Sequence, residues 1–228
     1  MRKLYPMMVD LGGKRCLVAG GGTVAERKAT LLVECGANVE VVSPAATARL
    51  TALARGGRVR WRRRPVRTSD LTGAFLVVAA TDDPEVNRQL AEKVRKVGGL
   101  VNVADDPGAC TFLVPAVVRR GELTIAISTG GGSPALAKKL RQRLEQTVGP
   151  EYEAFLAVLR AVRERTRQAV ADPEARQAIY RRAVESDLFE QVARGDTAAV
   201  AARIEDLLHI ALPAGSGTEA GGRGGHEH

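Results

Sequence analysis

Four segments of this sequence carry residue types that could act together in chemistry. Gly20-Gly21-Gly22-Thr23-Val24-Ala25 fits G-x-G-x-x-A. In such a turn the first glycine permits a tight bend, Gly22 leaves room for a pyrophosphate, and a small Ala25 lets helix and sheet pack closely. The N–H groups of the helix start then face the phosphates, where the helix dipole favours negative charge. ATDDPEVN holds Thr81 and Asp82, and NVADDPGACTF holds the adjacent carboxylates Asp105 and Asp106. The fourth, STGGGSPALAKKLR from Ser128 to Arg141, is a second glycine-rich turn whose N–H groups could bind a carboxylate or phosphate. Each also has a plain structural reading: Asp82 or Asp83 as a helix N-cap, Asp106 as the turn residue before Pro107, and the second turn as a linker to a capped helix.

One part of the dinucleotide fingerprint is missing. An acidic residue usually ends the second strand and binds the ribose hydroxyls. Ser43, Pro44 and Ala45 stand there instead. Ser43 or the backbone around Pro44 and Ala45 could bond a hydroxyl, and exclusion of a 2′-phosphate is weaker without the carboxylate. No basic residue adjoins Ser43 in sequence, which favours NAD over NADP.

The elements that must position these residues alternate between strand and helix. RCLVAG, VEVV, VRWR, FLVVAA and LVNVA read as five strands, with helices at about 24–35, 46–54 and 84–97 between them. The first glycine turn follows a buried strand and opens a helix, the context a dinucleotide site requires. The spacing predicts right-handed βαβ crossovers and a Rossmann-type doubly wound parallel sheet. Thr81 and Asp105 then lie at the carboxyl ends of strands, where ligands bind in such sheets. After Pro107 the pattern changes. FLVPAVV and LTIAIS read as a hairpin turning at Gly121, and Ser133-Pro134 starts a helix that runs to about Thr147. From Glu151 to Leu208 the spacing is helical, with breaks near Asp172-Pro173 and Gly195-Asp196, and the last stretch is glycine-rich and expected to be disordered. The expected organisation is an α/β domain at 1–113, a hairpin-plus-helix segment at 114–150, a small helical domain at 151–212 and a tail at 213–228.

Composition bounds the partners. The 228 residues are 45% hydrophobic and 26% charged, with no apolar run long enough to span a membrane and no signal-peptide core. The cysteines Cys16, Cys35 and Cys110 form neither a disulfide framework nor a metal pattern, which fits the reducing cytoplasm. The net charge of +8 favours anionic partners. Seven arginines lie between Arg55 and Arg67 with no acid among them. They read as the solvated face of a strand rather than a nucleic-acid site, because Trp61 alone could stack on a base.

GGGTVAERKATLLVECGA, VVSP, AATDDPEVN, NVADDP and FLVPAVVRRGELTIAISTGGGSPALAKKLR, in this order, resemble the siroheme synthase family, in its precorrin-2 dehydrogenase / sirohydrochlorin ferrochelatase module. The resemblance runs from about Leu4 to Gly149. It implies NAD-dependent oxidation of precorrin-2 to sirohydrochlorin, with Fe2+ inserted as well by some members. It also implies a homodimer, with the 114–150 segment in its interface and no nucleic acid or membrane as partner. It places the catalytic aspartate on Asp105 and the dinucleotide contacts on the Gly20–Gly22 turn, Thr23, Val24 and the Pro44-Ala45 region. Bifunctional relatives can carry a phosphorylated serine in the second glycine-rich loop, where this chain has Thr129 beside Ser128, so that feature is not carried over. A polycarboxylate substrate suits a basic protein, and a carboxylate at the crevice mouth suits a general base. His209, His226 and His228 all lie at the C-terminal end, and no metal-ligand cluster is expected. A different class remains open from the residues alone: a non-enzymatic NAD-sensing or nucleic-acid-binding regulator. It would leave Asp105 and the second glycine-rich loop without a task.

Overall fold

The computed structural model describes residues 3–209, so the tail with His226 and His228 lies outside the described residues. The chain forms two compact units. The first comprises the chain up to Ala116 together with Ile127–Lys138, and the second comprises Val117–Ala126 and the chain from Lys139 onward. The division thus passes through the 114–150 segment.

The first unit is built on a parallel sheet. Its strands are β1 (Arg15–Ala19), β2 (Asn38–Val42), β3 (Val59–Arg62), β4 (Leu76–Ala79) and β5 (Leu100–Val103), in the order β3-β2-β1-β4-β5. The central runs are apolar without interruption because both faces are covered. Alternate residues Cys16, Val18, Val39, Val41, Leu76 and Val78 form one core with Ala25, Ala29 and Leu32 of α1 (Thr23–Glu34) and Leu50 of α2 (Ala48–Arg55). Leu17, Ala19, Val77, Ala79, Val101 and Val103 form the other with Leu90, Ala91 and Val94 of α3 (Pro84–Lys96). Burial, with Cys35 adding to it, pushes the Cys16 thiol up to about 11, so it stays protonated and behaves as a small apolar side chain.

The arginine-rich strand is the sheet edge, and its charges are partly internal. Glu40, only 4% exposed, lies on the α3-side face of β2 and pairs with Arg15 at 2.8 Å and with Arg62 of β3. Asp70, also 4% exposed, pairs with Arg64 at 2.5 Å and accepts the Arg67 N–H at 2.8 Å. The Arg64 hydrogen bond, with help from the Arg67 N–H and nearby guanidinium charge, outweighs burial and holds the Asp70 carboxyl down to about 2. Only part of the arginine run is therefore a solvated face.

The second unit is mainly helical and takes residues 117–126 of a hairpin formed by β6 (Ala116–Arg120) and β7 (Leu123–Ile127). It includes the later turns of α4 (Pro134–Thr147), then α5 (Glu151–Ala169), α6 (Pro173–Glu185), α7 (Leu188–Arg194) and α8 (Thr197–His209). Phe155, Val162, Ile179, Leu188 and Leu207 form its core, and Arg120 fastens the hairpin to the end of α4 through the carbonyls of Glu145 and Val148. Two local expectations change. The hairpin starts at Ala116 rather than Phe112, because Thr111 and Phe112 bond back to β5 instead, through Val101 and Asn102. An additional helix break falls at Ser186-Asp187, where the Ser186 hydroxyl accepts the Leu188 N–H.

Candidate active site

The three glycines of the first turn meet different demands. Gly20 has φ +121°, and a Cβ there would stand 2.0 Å from the Ala80 carbonyl oxygen. A Cβ on Gly21 would stand 1.9 Å from the carbonyl oxygen of Ala45. These two positions need glycine because neighbouring loops close on them. Gly22 is different: its backbone is extended, and a Cβ there would meet nothing within 4 Å. It is the N-cap of α1, and no side chain caps the helix start. An uncapped helix N-terminus beside open space is what a phosphate group requires.

The turn forms one wall of a cleft of about 530 Å³ at the carboxyl ends of β1, β2 and β4. The sheet order reverses between β1 and β4, so this is the topological switch point at which doubly wound sheets bind ligands. Gly20, Gly21, Gly22, Ser43, Pro44, Ala45 and Thr81 line this cleft together, joined by Asp82, Asp83, Pro65 and Val66. The cleft size and the glycine floor fit a dinucleotide.

The side chains assigned to the cleft have partners of their own. The Ser43 hydroxyl donates to the Ala45 carbonyl at 2.7 Å, so it shapes the loop. Asp83 is the N-cap of α3, accepting the Glu85 N–H at 2.8 Å, which leaves the exposed Asp82 on the cleft wall. Thr81 is held by a residue that sequence reasoning missed. Asn87, 5% exposed, accepts from both the N–H and the hydroxyl of Thr81 and donates to its carbonyl. Asn87 interrupts the apolar stripe formed by Leu90, Ala91 and Val94, and a polar residue on such a stripe was the available signal. Pro65 and Val66 gave no sequence signal.

Thr23 and Val24 stand on the first turn of α1, outside the cleft lining, with Val24 packed against the core. Beyond the neighbours of Ser43 in sequence, the pairing of β2 with β3 brings the backbone of Arg62 and the ring of Trp61 beside it. The Ser43 N–H donates to the Arg62 carbonyl at 3.2 Å, and the Ser43 carbonyl accepts from Trp61 Nε1 at 3.0 Å. The guanidinium groups at this edge are engaged elsewhere, Arg62 with Glu40 and Arg63 over the Trp61 ring at 4.3 Å.

Asp105 is not part of the cleft lining. It lies one strand further along the same sheet edge, in the loop after β5, and it is exposed. Its φ is +59°, the sole left-handed non-glycine residue among those described. A buried scaffold maintains that turn. Cys110 Sγ accepts from the Val103 N–H at 3.1 Å and donates to the Asp106 carbonyl at 3.2 Å, while Asp106 accepts the Ala109 N–H. Asp106 is thus the turn residue, and Asp105 is left open. On α1, burial lowers Lys28 below the ordinary lysine range, Arg27 adds to this, and Cys110 and Asp105 oppose it. The second glycine-rich loop meets the same region, since a Cβ on Gly131 would stand 3.2 Å from Pro107. Ser133 caps α4 by accepting the Leu136 N–H. Among the described residues no group of three His, Cys, Asp or Glu side chains gathers in a way that could hold a metal ion.

Comparison with known proteins places this architecture in a class and then a family. Residues 7–116 match the model of an NAD(P)-binding domain. Residues 120–147 match the central segment of sirohaem biosynthesis proteins, and residues 151–208 match the sirohaem synthase dimerisation region. The dimerisation description therefore attaches to the helical part that follows the hairpin and α4. The siroheme synthase of Methylococcus capsulatus is 37% identical over 92% of this chain and 43% of its own length. Siroheme synthase 1 of Aeromonas salmonicida is 39% identical over 89% of this chain and 43% of its own length. The chain spans less than half the length of these relatives. A solved structure of SirC, precorrin-2 dehydrogenase, superposes with a TM-score of 0.76 at 28% identity, covering 89% of this chain and all of that one. The chain belongs to the siroheme synthase family.

Proposed function

We propose that this chain oxidises precorrin-2 to sirohydrochlorin with NAD+; its structural neighbour is named a precorrin-2 dehydrogenase, and residues 7–116 match an NAD(P)-binding domain. The observation that carries the proposal is the glycine-floored cleft at the switch point of a sheet whose next strand end presents an open carboxylate. NAD+ supplies the hydride acceptor when bound. The Gly20–Gly22 turn and the start of α1 hold the pyrophosphate, and the loops at Ser43–Ala45 and Thr81 line the cleft on either side. Asp105 accepts the proton that leaves the macrocycle as the hydride departs, which balances the reaction as precorrin-2 and NAD+ giving sirohydrochlorin, NADH and a proton. The chain acts as a homodimer through its sirohaem synthase dimerisation region. No helix among the described residues is long and apolar enough to cross a membrane, and we place the reaction in the cytoplasm, where the thiols of Cys16, Cys35 and Cys110 stay reduced.

We also propose Fe2+ as a second substrate, because siroheme, the product in the relatives' name, is an iron tetrapyrrole; Asp105 would accept the pyrrole protons that iron displaces. A non-enzymatic NAD-sensing or nucleic-acid-binding regulator finds no support in the comparisons. Absorbance spectroscopy of the purified chain with precorrin-2 and NAD+ separates the two classes. The enzyme gives the sirohydrochlorin spectrum, whereas a regulator gives no turnover. Iron incorporation into sirohydrochlorin, assayed on the same preparation, tests the second step, and its absence limits the chain to dehydrogenation.

A further inference from the structure

A second cleft, of about 490 Å³, opens at the outer edge of the sheet. Its walls are Thr51, Ala54 and Arg55 at the end of α2, Gly57 in the turn, and Val59, Arg60, Trp61 and Arg63 along β3. It shares no lining residue with the dinucleotide cleft. The arginines of this region divide into two groups. Arg62 and Arg64 neutralise the buried Glu40 and Asp70. Among the described residues, Arg55, Arg60 and Arg63 have no carboxylate partner, and no acid lines the cleft. Guanidinium groups are planar forks that match carboxylate and phosphate oxygens two at a time. Arg63 is also preorganised, because it lies over the Trp61 ring at 4.3 Å, and Trp61 is itself fixed by its bond to the Ser43 carbonyl. A solvated arginine face needs neither a concavity nor an immobilised guanidinium.

We propose that this edge cleft binds a small multivalent oxyanion, a polycarboxylate or polyphosphate, through Arg55 and Arg63. Its volume suits a small molecule. The Trp61–Ser43 bond joins it to a loop that lines the dinucleotide cleft.

Trp61 is the chain's single tryptophan and lines this cleft, so its fluorescence reports on the site. The full chain is titrated with citrate and, separately, with tripolyphosphate, against sodium chloride at matched ionic strength, with calorimetry in parallel. The expected result is a saturable 1:1 response to at least one of the two anions, weakened about tenfold or more in Arg55→Gln/Arg63→Gln. It should persist with NAD+ present, and NAD+ affinity should be unchanged in the double variant. A response to citrate alone identifies a carboxylate ligand, and a response to tripolyphosphate alone identifies a phosphate ligand. The proposal is overturned by a response no greater than that to chloride, by undiminished binding in the double variant, or by competition with NAD+. Binding of a single-stranded oligonucleotide without binding of either small anion overturns it as well.

Discussion

Substitution of the three glycines one at a time separates the architecture of the turn from its ligand. At Gly22 the backbone is extended with φ −78°, which any residue adopts, and an added Cβ meets nothing within 4 Å. Gly22→Val should therefore change folding stability by no more than about 0.5 kcal/mol. The isopropyl group would nevertheless occupy the space that a pyrophosphate must enter. Charge-assisted hydrogen bonds are each worth about 1.5–3 kcal/mol, so losing one or two lowers NAD+ affinity by about a hundredfold. Gly20→Ala and Gly21→Ala should do the opposite. Their Cβ atoms would stand 2.0 Å and 1.9 Å from backbone oxygens, and Gly20 adds a φ of +121°. Each should cost about 2–4 kcal/mol of stability, because backbone has to move. Isothermal calorimetry with NAD+ and a thermal melt on each variant provide the comparison. A folded Gly22→Val that binds NAD+ as tightly as wild type would refute the assignment of the cleft.

Asn87→Leu should destabilise the first unit by about 1–3 kcal/mol, because the Thr81 N–H and carbonyl lose their partner, and it should raise KM for NAD+ more than it lowers kcat; a melt and steady-state kinetics check both. Asp70 titrates well below the ordinary carboxylate range, so its contribution to stability is fully present above the unfolded carboxylate value and is lost as pH falls through about 2. Acid melts of Asp70→Asn should accordingly be flatter over that window than those of wild type, and parallel curves would contradict the Arg64–Asp70 pairing. NAD+ should be preferred over NADP+ in kcat/KM because Arg62 and Arg63 are engaged away from Ser43; a clear NADP+ preference would contradict that account.

Much of the first unit was legible because its signals are local. The apolar runs at Cys16–Ala19 and Leu76–Ala79, the glycine turn and the Asp83-Pro84 cap each announce their element within a few residues. The contributions of Pro65 and Val66 to the cleft were not legible, since only the pairing of β3 with β2 brings them there. The same pairing placed Arg62 beside Ser43, which no reading of the residues next to Ser43 could show. Glycine pattern alone did not distinguish Gly21 from Gly22, because their difference lies in what Ala45, a residue from another loop, does to the space around them. The break at Ser186-Asp187 was hidden because apolar spacing continues through it and a hydroxyl, not a glycine or proline, makes the turn.

The account turns on Asp105 as the base of an NAD-dependent oxidation. Asparagine is the informative replacement, since it keeps the shape and tolerates the left-handed φ of +59°, whereas alanine would add strain of about 1–2 kcal/mol. The decisive measurement is the initial rate of NADH formation from precorrin-2 by wild type and Asp105→Asn, with NAD+ affinity determined on the same preparations. Wild type should form NADH and sirohydrochlorin in equal amounts, and Asp105→Asn should be slower by about 10² to 10⁴ at unchanged NAD+ affinity. NADH formation independent of precorrin-2, or full turnover by Asp105→Asn, would contradict the account.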